Sequence, residues 1–182
     1  MDEKVIMKVE DVYEQVSRAN SYLYDIWKEQ LLFTFEWWIA LALIIIPWTI
    51  WIILHKRQSR SRLLFAGFFV IIVACWLDFT GSTNGLWYYP MEIIPTIPSY
   101  LMWDMSLMPV IIMLLLQYTN KYNPFLIGVI FAFIVSFLAE PFFEWIDFYR
   151  RIHWKHIYSF PIYAIIYVIT YYISKCKTFD PL

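Results

Sequence analysis

The sequence predicts an all-α, polytopic membrane protein: a bundle of five transmembrane helices preceded by an amphipathic amino-terminal helix. The 182 residues are 61% hydrophobic, well above the roughly 45–50% typical of soluble domains. The hydrophobic residues also gather in blocks that approach the roughly 20 residues needed to cross a hydrocarbon core. Charged residues do not interrupt these blocks every few positions, as they would in a soluble amphipathic helix.

The amino-terminal segment, 1–36, precedes the first block and holds eight acidic and four basic residues. Its small aliphatic residues recur at alternating spacings of four and three, which predicts one apolar stripe along a helix. The stripe comprises Val5, Val9, Val12, Val16, Ala19, Leu23 and Ile26. Three interpretations are open: the stripe packs on the protein's own bundle, forms a seam with a partner protein, or contacts lipid.

The transmembrane bundle is predicted to occupy residues 37–182. Its five spans are expected at about 37–54, 63–79, 99–118, 124–140 and 157–174. The linker 55–62 contains four Lys and Arg residues, and short basic loops stay on the cytoplasmic side. We therefore expect a multi-pass membrane protein with its amino terminus outside and its carboxy terminus in the cytoplasm. In this orientation Arg150, Arg151 and Lys155 lie on the outer side, where the same rule does not expect basic residues.

Two acidic residues lie inside predicted spans, where ionisable groups are expensive and commonly functional. Asp78 is expected in the last turn of the second span and Asp104 about one and a half turns inside the third. Because consecutive spans run in opposite directions, both carboxyl groups belong to the same end of the bundle. Gly81 and Gly85 supply the backbone freedom for the turn that follows Asp78.

Further polar and aromatic residues belong to this end of the bundle. The candidate ligand-binding residues are Asp78, Asn84, Trp87, Tyr88, Glu92, Trp103, Asp104, Glu140 and Glu144. Tryptophan normally forms belts at both membrane interfaces, and such belts do not predict the excess of tryptophan on this side. For the two aspartates the alternative is a structural role, with the carboxylates bound to tryptophan N–H groups or loop amides.

Metal binding has weak support. His153 and His156 are three residues apart and could share a metal with nearby carboxylates. No HExxH or paired ligand motif accompanies them, so we predict no metal and no cofactor. Glu140 and Pro141 are expected to end the fourth span and to start an interfacial helix, since proline is favoured at the first helical position.

The order of these features resembles an uncharacterised family of small five-span membrane proteins of endospore-forming bacteria, and this resemblance implies a bacterial cell membrane. The likeness covers roughly residues 35–175. It rests on the span that ends in Asp78, the run from Gly85 to Pro90, Asp104 followed by Pro109, and Gln117-Tyr118. A more distant similarity is to small integral-membrane carotenoid cyclases, whose paired glutamates after proline are absent here. Neither resemblance supplies a residue role.

Three classes of function fit these features. The first is a subunit that binds a lipid or amphiphile, or assembles a membrane complex, through an aromatic and carboxylate pocket on the outer face. The second is a membrane-embedded enzyme that uses the aspartate pair on a lipid or isoprenoid, and the third is a small transporter subunit. No Ser-His-Asp spacing or Gly-rich phosphate loop assigns a reaction. Expected partners are membrane lipid, a protein docked on the amino-terminal helix, and further copies or subunits. The one basic run is the cytoplasmic loop, which excludes a nucleic-acid role.

Overall fold

The computed structural model describes residues 2–95 and 99–176. These residues form six helices and two short strands, which we number in chain order. The helices are α1 (Glu3–Ile26), α2 (Phe35–Leu54), α3 (Arg60–Thr83), α4 (Trp103–Tyr118), α5 (Pro124–Trp145) and α6 (His156–Ser174). The strands β1 (Trp87–Tyr88) and β2 (Arg150–Arg151) pair antiparallel.

The predicted fold class, an all-α membrane helix bundle, is confirmed. Helices α2, α3, α5 and α6 are long and apolar enough to cross a membrane, so this is a multi-pass membrane protein. Helix α4 is shorter than these four, and the count of five spans therefore stays a prediction. Residues 177–182, at the end of the predicted bundle segment, lie outside the described residues.

Helix α1 stands apart from the bundle. It begins where the Asp2 carboxylate accepts the N–H of Lys4 at 3.0 Å, which satisfies one of the free amides at the helix start. The chain continues through a widened helical turn and reverses at Phe33, whose φ is 62°. No residue of α1 is buried, so the interpretation that its stripe packs on the protein's own bundle is wrong.

The bundle is built around α3 and α4, which pack on each other. Helix α6 packs on α3, α5 packs on α6, and α2 contacts the first turn of α4. Their shared core contains Val70, Ile112, Met113, Phe131 and Tyr167. A second cluster, which includes Met91 and Phe148, lies under the loops at the end of the bundle that contains Asp78. We call this end the site end.

Two prolines follow widened, π-helical turns. Pro109 follows the turn Trp103–Leu107. Because proline has no N–H, the carbonyl four residues before it lacks its helical partner, and the Met105 carbonyl instead accepts the indole N–H of Trp48 at 2.9 Å. Pro141 follows a second such turn, and α5 continues past it to Trp145. The helix therefore runs on past Glu140 and Pro141, because the widened turn accommodates the proline, and the point at which the fourth span leaves the membrane stays a prediction.

The opposite end of the bundle is closed by Gln117 of α4. Its amide nitrogen donates to the Leu54 carbonyl at 3.0 Å, and its amide oxygen accepts the N–H of Lys56 at 2.7 Å. The Tyr118 hydroxyl also donates to the Leu54 carbonyl, at 3.1 Å. These bonds satisfy backbone groups that the end of α2 leaves without helical partners.

Candidate functional site

Asp78 and Asp104 meet at the site end. The Tyr100 backbone N–H donates to Oδ2 of Asp78 at 2.8 Å and to Oδ2 of Asp104 at 3.0 Å. Both residues are buried, with 5% and 3% of their surface exposed, and the shared amide places the two carboxyl groups next to each other. Two carboxyl groups this close can hold one proton between them.

Asp78 also fixes the loop that follows α3. Its Oδ1 accepts the indole N–H of Trp87 at 2.8 Å and a short hydrogen bond from the Tyr89 hydroxyl. With the Tyr100 amide, the carboxylate of Asp78 therefore accepts three donors from one loop. Because these three hydrogen bonds satisfy the buried carboxylate, they support the structural role that the sequence leaves open for Asp78.

The two predicted turn glycines have different functions. Gly85 has a φ of 66° and forms the turn, since glycine adopts this left-handed conformation without steric cost. Gly81 lies inside α3 against the Trp87 ring, and a Cβ added there would lie 2.0 Å from the nearest ring carbon. The prediction that Gly81 belongs to the turn is wrong, because α3 continues to Thr83.

The helix boundaries also shift both aspartates relative to the predicted depths. Since α3 ends at Thr83, Asp78 lies more than a turn before its end. Asp104 lies in the first, π-helical turn of α4 rather than one and a half turns inside it. Residues 99 and 100 form the approach to the helix, and this approach supplies the Tyr100 amide that joins the two acids.

A cavity of about 240 Å³ adjoins this pair. Of the predicted site residues, it is lined by Asp78, Trp87, Trp103, Asp104 and Glu140. Its other polar lining residues are Thr80, Tyr89, Tyr100, Tyr149, Trp154, Ser159 and Tyr163, and the rest of the wall is apolar. No Lys, Arg or His among the described residues lines it, and its acidic groups are the three carboxyls of Asp78, Asp104 and Glu140.

Glu140 connects the cavity to the surface through a chain of polar contacts. Its Oε2 lies 2.7 Å from Nδ1 of His156, and Nε2 of the same ring lies 3.3 Å from the Glu144 carboxylate. Glu144 in turn pairs with Arg151 at 2.9 Å, and both side chains are partly exposed. Glu144 is therefore part of this series of polar contacts and does not line the cavity.

The loop before α6 covers the cavity from the other side. In the ladder, Trp87 of β1 is opposite Arg151 of β2. The rings of Trp87 and Trp154 pack edge to face, with centroids 5.0 Å apart, and the Trp154 indole donates to Ser159 at 2.9 Å. Residues 146–155 are thus a surface loop held onto β1.

Three predicted site residues lie beside the cavity without lining it. Asn84 ends α3, where its amide donates to the Thr80 carbonyl at 2.7 Å. Tyr88 is half-exposed in β1. Glu92 lies in the loop under α1, and its backbone carbonyl accepts the Trp27 indole N–H at 3.0 Å. Burial, with a smaller contribution from the Asp78 charge, raises the pKa of Glu92 from 4.5 to about 8.

The described residues contain no group of three or more His, Cys, Asp or Glu side chains that could hold a metal ion. Of the two weak candidates, His156 contacts Glu140 and Glu144. His153 uses its backbone N–H, which donates to the Leu86 carbonyl at 3.0 Å.

Sequence reasoning missed most of the tyrosines of the site. Burial raises the pKa of the loop residues Tyr89, Tyr100 and Tyr149 above the ordinary value of 10, so their hydroxyls remain hydrogen-bond donors. The indole N–H of Trp103 and the hydroxyl of Tyr100 are buried and have no hydrogen-bond partner among the described residues. The run Trp87-Tyr88-Tyr89 was a visible signal, but the parts played by Tyr149 and Tyr163 depend on contacts between distant segments.

No family model, curated protein or solved structure matches the chain. The site's chemistry therefore rests on its own geometry.

Proposed function

We propose that the protein binds a membrane amphiphile whose headgroup carries hydrogen-bond donors, either an ammonium cation or a polyol. The observation that supports this most is the cavity itself, in which three carboxyl groups face a mostly aromatic and apolar wall. Binding sites for small molecules characteristically combine a few placed polar groups with such a wall.

The acidic groups of the cavity determine which kind of headgroup can bind there. Carboxylates accept hydrogen bonds and, when ionised, cannot donate them. The tryptophan and tyrosine rings favour a cation over their faces. Since no basic side chain among the described residues lines the cavity, a phosphate or other anionic group would be repelled from it.

The position of the opening favours a ligand from the bilayer. Leu77 and Thr80 line the cavity and are exposed on α3, within an apolar membrane-span helix. A volume of about 240 Å³ is below the roughly 300–1,000 Å³ of sites for drug-sized ligands. It accommodates a headgroup and the first carbons of a chain, while the rest of the chain stays in lipid.

We place this protein in a bacterial cell membrane with the cavity on the extracytoplasmic side. The basic linker 55–62 supports this orientation through the positive-inside rule. The cavity then lies in the outer leaflet, close to the interface where headgroups are found.

Mass spectrometry of lipid that co-purifies in mild detergent tests the proposal. We expect the wild type to retain one class of amphiphile with a cationic or polyol headgroup, and Asp104→Asn to lose it. The matched control is Asp147→Asn, at the same end of the bundle but exposed and paired with Arg150. Asparagine suits the positive φ of residue 147, so the control should fold normally and retain the ligand. Equal retention by Asp104→Asn would contradict the proposal.

The proton-sharing geometry of Asp78 and Asp104 favours a second candidate, an enzyme acting on the bound amphiphile. One carboxyl would donate a proton to the substrate and its ionised partner would stabilise developing positive charge. Incubation of the co-purified lipid with fresh protein distinguishes the two functions. A new product that requires Asp104 supports the enzyme, and unchanged lipid supports binding alone.

A further inference from the structure

The apolar stripe of α1 has the spacing of a coiled coil. Its seven residues alternate between steps of four and three, so they fill the two core positions of a heptad repeat. Val9, Val16 and Leu23 occupy one core position, called a. The other, called d, is occupied by Val5, Val12, Ala19 and Ile26. The stripe keeps to this narrow seam along the whole of α1.

The seam is unpaired in the described chain. Val5, Val9, Val12, Val16 and Leu23 are 46%, 48%, 57%, 51% and 43% exposed. An isolated helix gains little stability in water from propensity alone, and most helices depend on the packing of their apolar face. A helix of 24 residues with no buried residue therefore lacks the contact that its pattern specifies.

The charges around the seam suit a second copy of the same helix. The positions that flank a coiled-coil core, e and g, are Ile6, Lys8, Tyr13, Gln15, Asn20 and Tyr22. Lys8 is the one charged residue among them, so two identical helices meet without opposed like charges. The acidic residues Glu10, Asp11, Glu14 and Asp25 lie at outer positions, where they remain in water.

We propose that α1 pairs with α1 of a second copy as a parallel, two-stranded coiled coil. Each helix is joined at its carboxy end to α2, so copies in one membrane present their helices in the same direction. An antiparallel pair would separate the two helix bases by roughly 36 Å, the length of 24 residues at 1.5 Å each, whereas a parallel pair brings them together.

The structure also fixes the base of this coiled coil relative to the cavity. The Trp27 indole, in the turn that follows α1, donates to the Glu92 carbonyl in the loop over the site end. Pairing of α1 would therefore bring the two site ends next to each other. A lipid surface suits the stripe less well, because surface helices carry Lys and Arg toward anionic headgroups and α1 is acidic.

Cysteine crosslinking of the full-length protein in mild detergent tests the pairing. In a background with Cys75→Ser and Cys176→Ser, which removes the two free thiols, we compare Ala19→Cys in the seam with Ser21→Cys on the outer face. Both positions are exposed in the described chain. Mild oxidation should convert most of Ala19→Cys to a disulfide dimer and leave Ser21→Cys monomeric. Equal crosslinking, or none at Ala19→Cys, would overturn the proposal.

Light scattering provides the second test, independent of cysteine chemistry. The detergent-corrected mass should be that of a dimer for the wild type and for the outer-face variant Ser17→Asp. It should be that of a monomer for Val12→Asp with Val16→Asp, and circular dichroism of this variant should show at most the loss of the 24 helical residues of α1. A monomeric wild type, a dimer that survives the seam variants, or a different protein bound at α1 would each exclude the second copy. These results do not depend on any ligand of the cavity.

Discussion

The carboxyl groups of Asp78 and Asp104 accept the same backbone N–H, that of Tyr100, at 2.8 and 3.0 Å. The bond joins the end of α3, the loop and the first turn of α4, so it sets the spacing of the two acids. Asp78 accepts two further donors from the loop, whereas among the described residues the carboxylate of Asp104 accepts the Tyr100 N–H alone. We infer that Asp78 mainly holds the site together and that Asp104 is the carboxyl available to a ligand.

The first prediction separates these two roles. Asp78→Asn should lower the free energy of unfolding by about 1–3 kcal/mol, because an amide nitrogen replaces an acceptor and leaves one loop donor unmatched. Asp104→Asn should remain close to wild type, since its amide oxygen can still accept the Tyr100 N–H. Thermal unfolding in detergent, followed by tryptophan fluorescence, measures both. An equal or larger loss for Asp104→Asn would contradict the division of roles.

The second prediction concerns the close approach of Trp87 to α3. Gly81→Ala should destabilise the protein by about 1–3 kcal/mol, because an added methyl group in a filled space forces the ring to move. Movement of the ring would also break the bond from Trp87 to Asp78. Thr83→Ala, on the exposed face two residues later, should have a much smaller effect. Similar unfolding temperatures for the two variants would contradict this packing.

The third prediction is a pH dependence due to Glu92, whose pKa is raised from 4.5 to about 8. A carboxyl with a raised pKa binds its proton more tightly in the folded state. Its contribution to stability is therefore complete below about pH 4.5 and is lost as the pH rises to about 8. The loss is at most about 1.4 kcal/mol per pH unit.

Unfolding temperatures of Glu92→Gln and wild type across this pH window test the third prediction. The variant should lose less stability with rising pH, because its amide does not ionise. Glu36→Gln, an exposed residue at the start of α2, should follow the wild-type profile. A Glu92→Gln profile parallel to that of the wild type would exclude Glu92 as the source.

The fourth prediction concerns the opposite end of the bundle. Gln117→Ala should cost about 1–3 kcal/mol, because the Lys56 N–H loses its partner and the Leu54 carbonyl loses one of two donors. Gln58→Ala, in the exposed turn of the same linker, serves as the control. A protease should cut the linker faster in Gln117→Ala than in the wild type, whereas Gln58→Ala should be cut at the wild-type rate. Equal rates in the two variants would contradict the bridging role of Gln117.

The sequence was sufficient for the helices and for the meeting of the two acids. Long apolar blocks specify membrane helices, and antiparallel neighbours bring Asp78 and Asp104 to one end. The ends of the helices are harder to predict. Gly81 has the sequence context of a turn residue, whereas it lies inside α3 and contacts Trp87. A sequence shows that a glycine is present, but not whether its missing side chain serves a turn or a close contact.

The rest of the site depends on contacts between segments far apart in the chain. The pairing of Trp87 with Arg151 covers two residues on each strand, too short to give a periodic pattern. The same pairing aligns Trp154 with the cavity, and it could not be predicted from local composition. The amino-terminal stripe was visible, but its spacing alone did not distinguish the bundle from a partner.

Titration of the purified, delipidated protein with single-chain amphiphiles tests the central claim most directly. The series shares one alkyl chain and differs in headgroup: an alkylamine, an alkyl glycoside and an alkyl sulfonate, with tryptophan fluorescence as the readout. We predict saturable one-to-one binding of the amine or the glycoside that Asp104→Asn abolishes and Asp147→Asn preserves. The sulfonate should not bind. Equal binding of all three amphiphiles, or binding unaffected by Asp104→Asn, would contradict a carboxylate site for a donor-bearing headgroup.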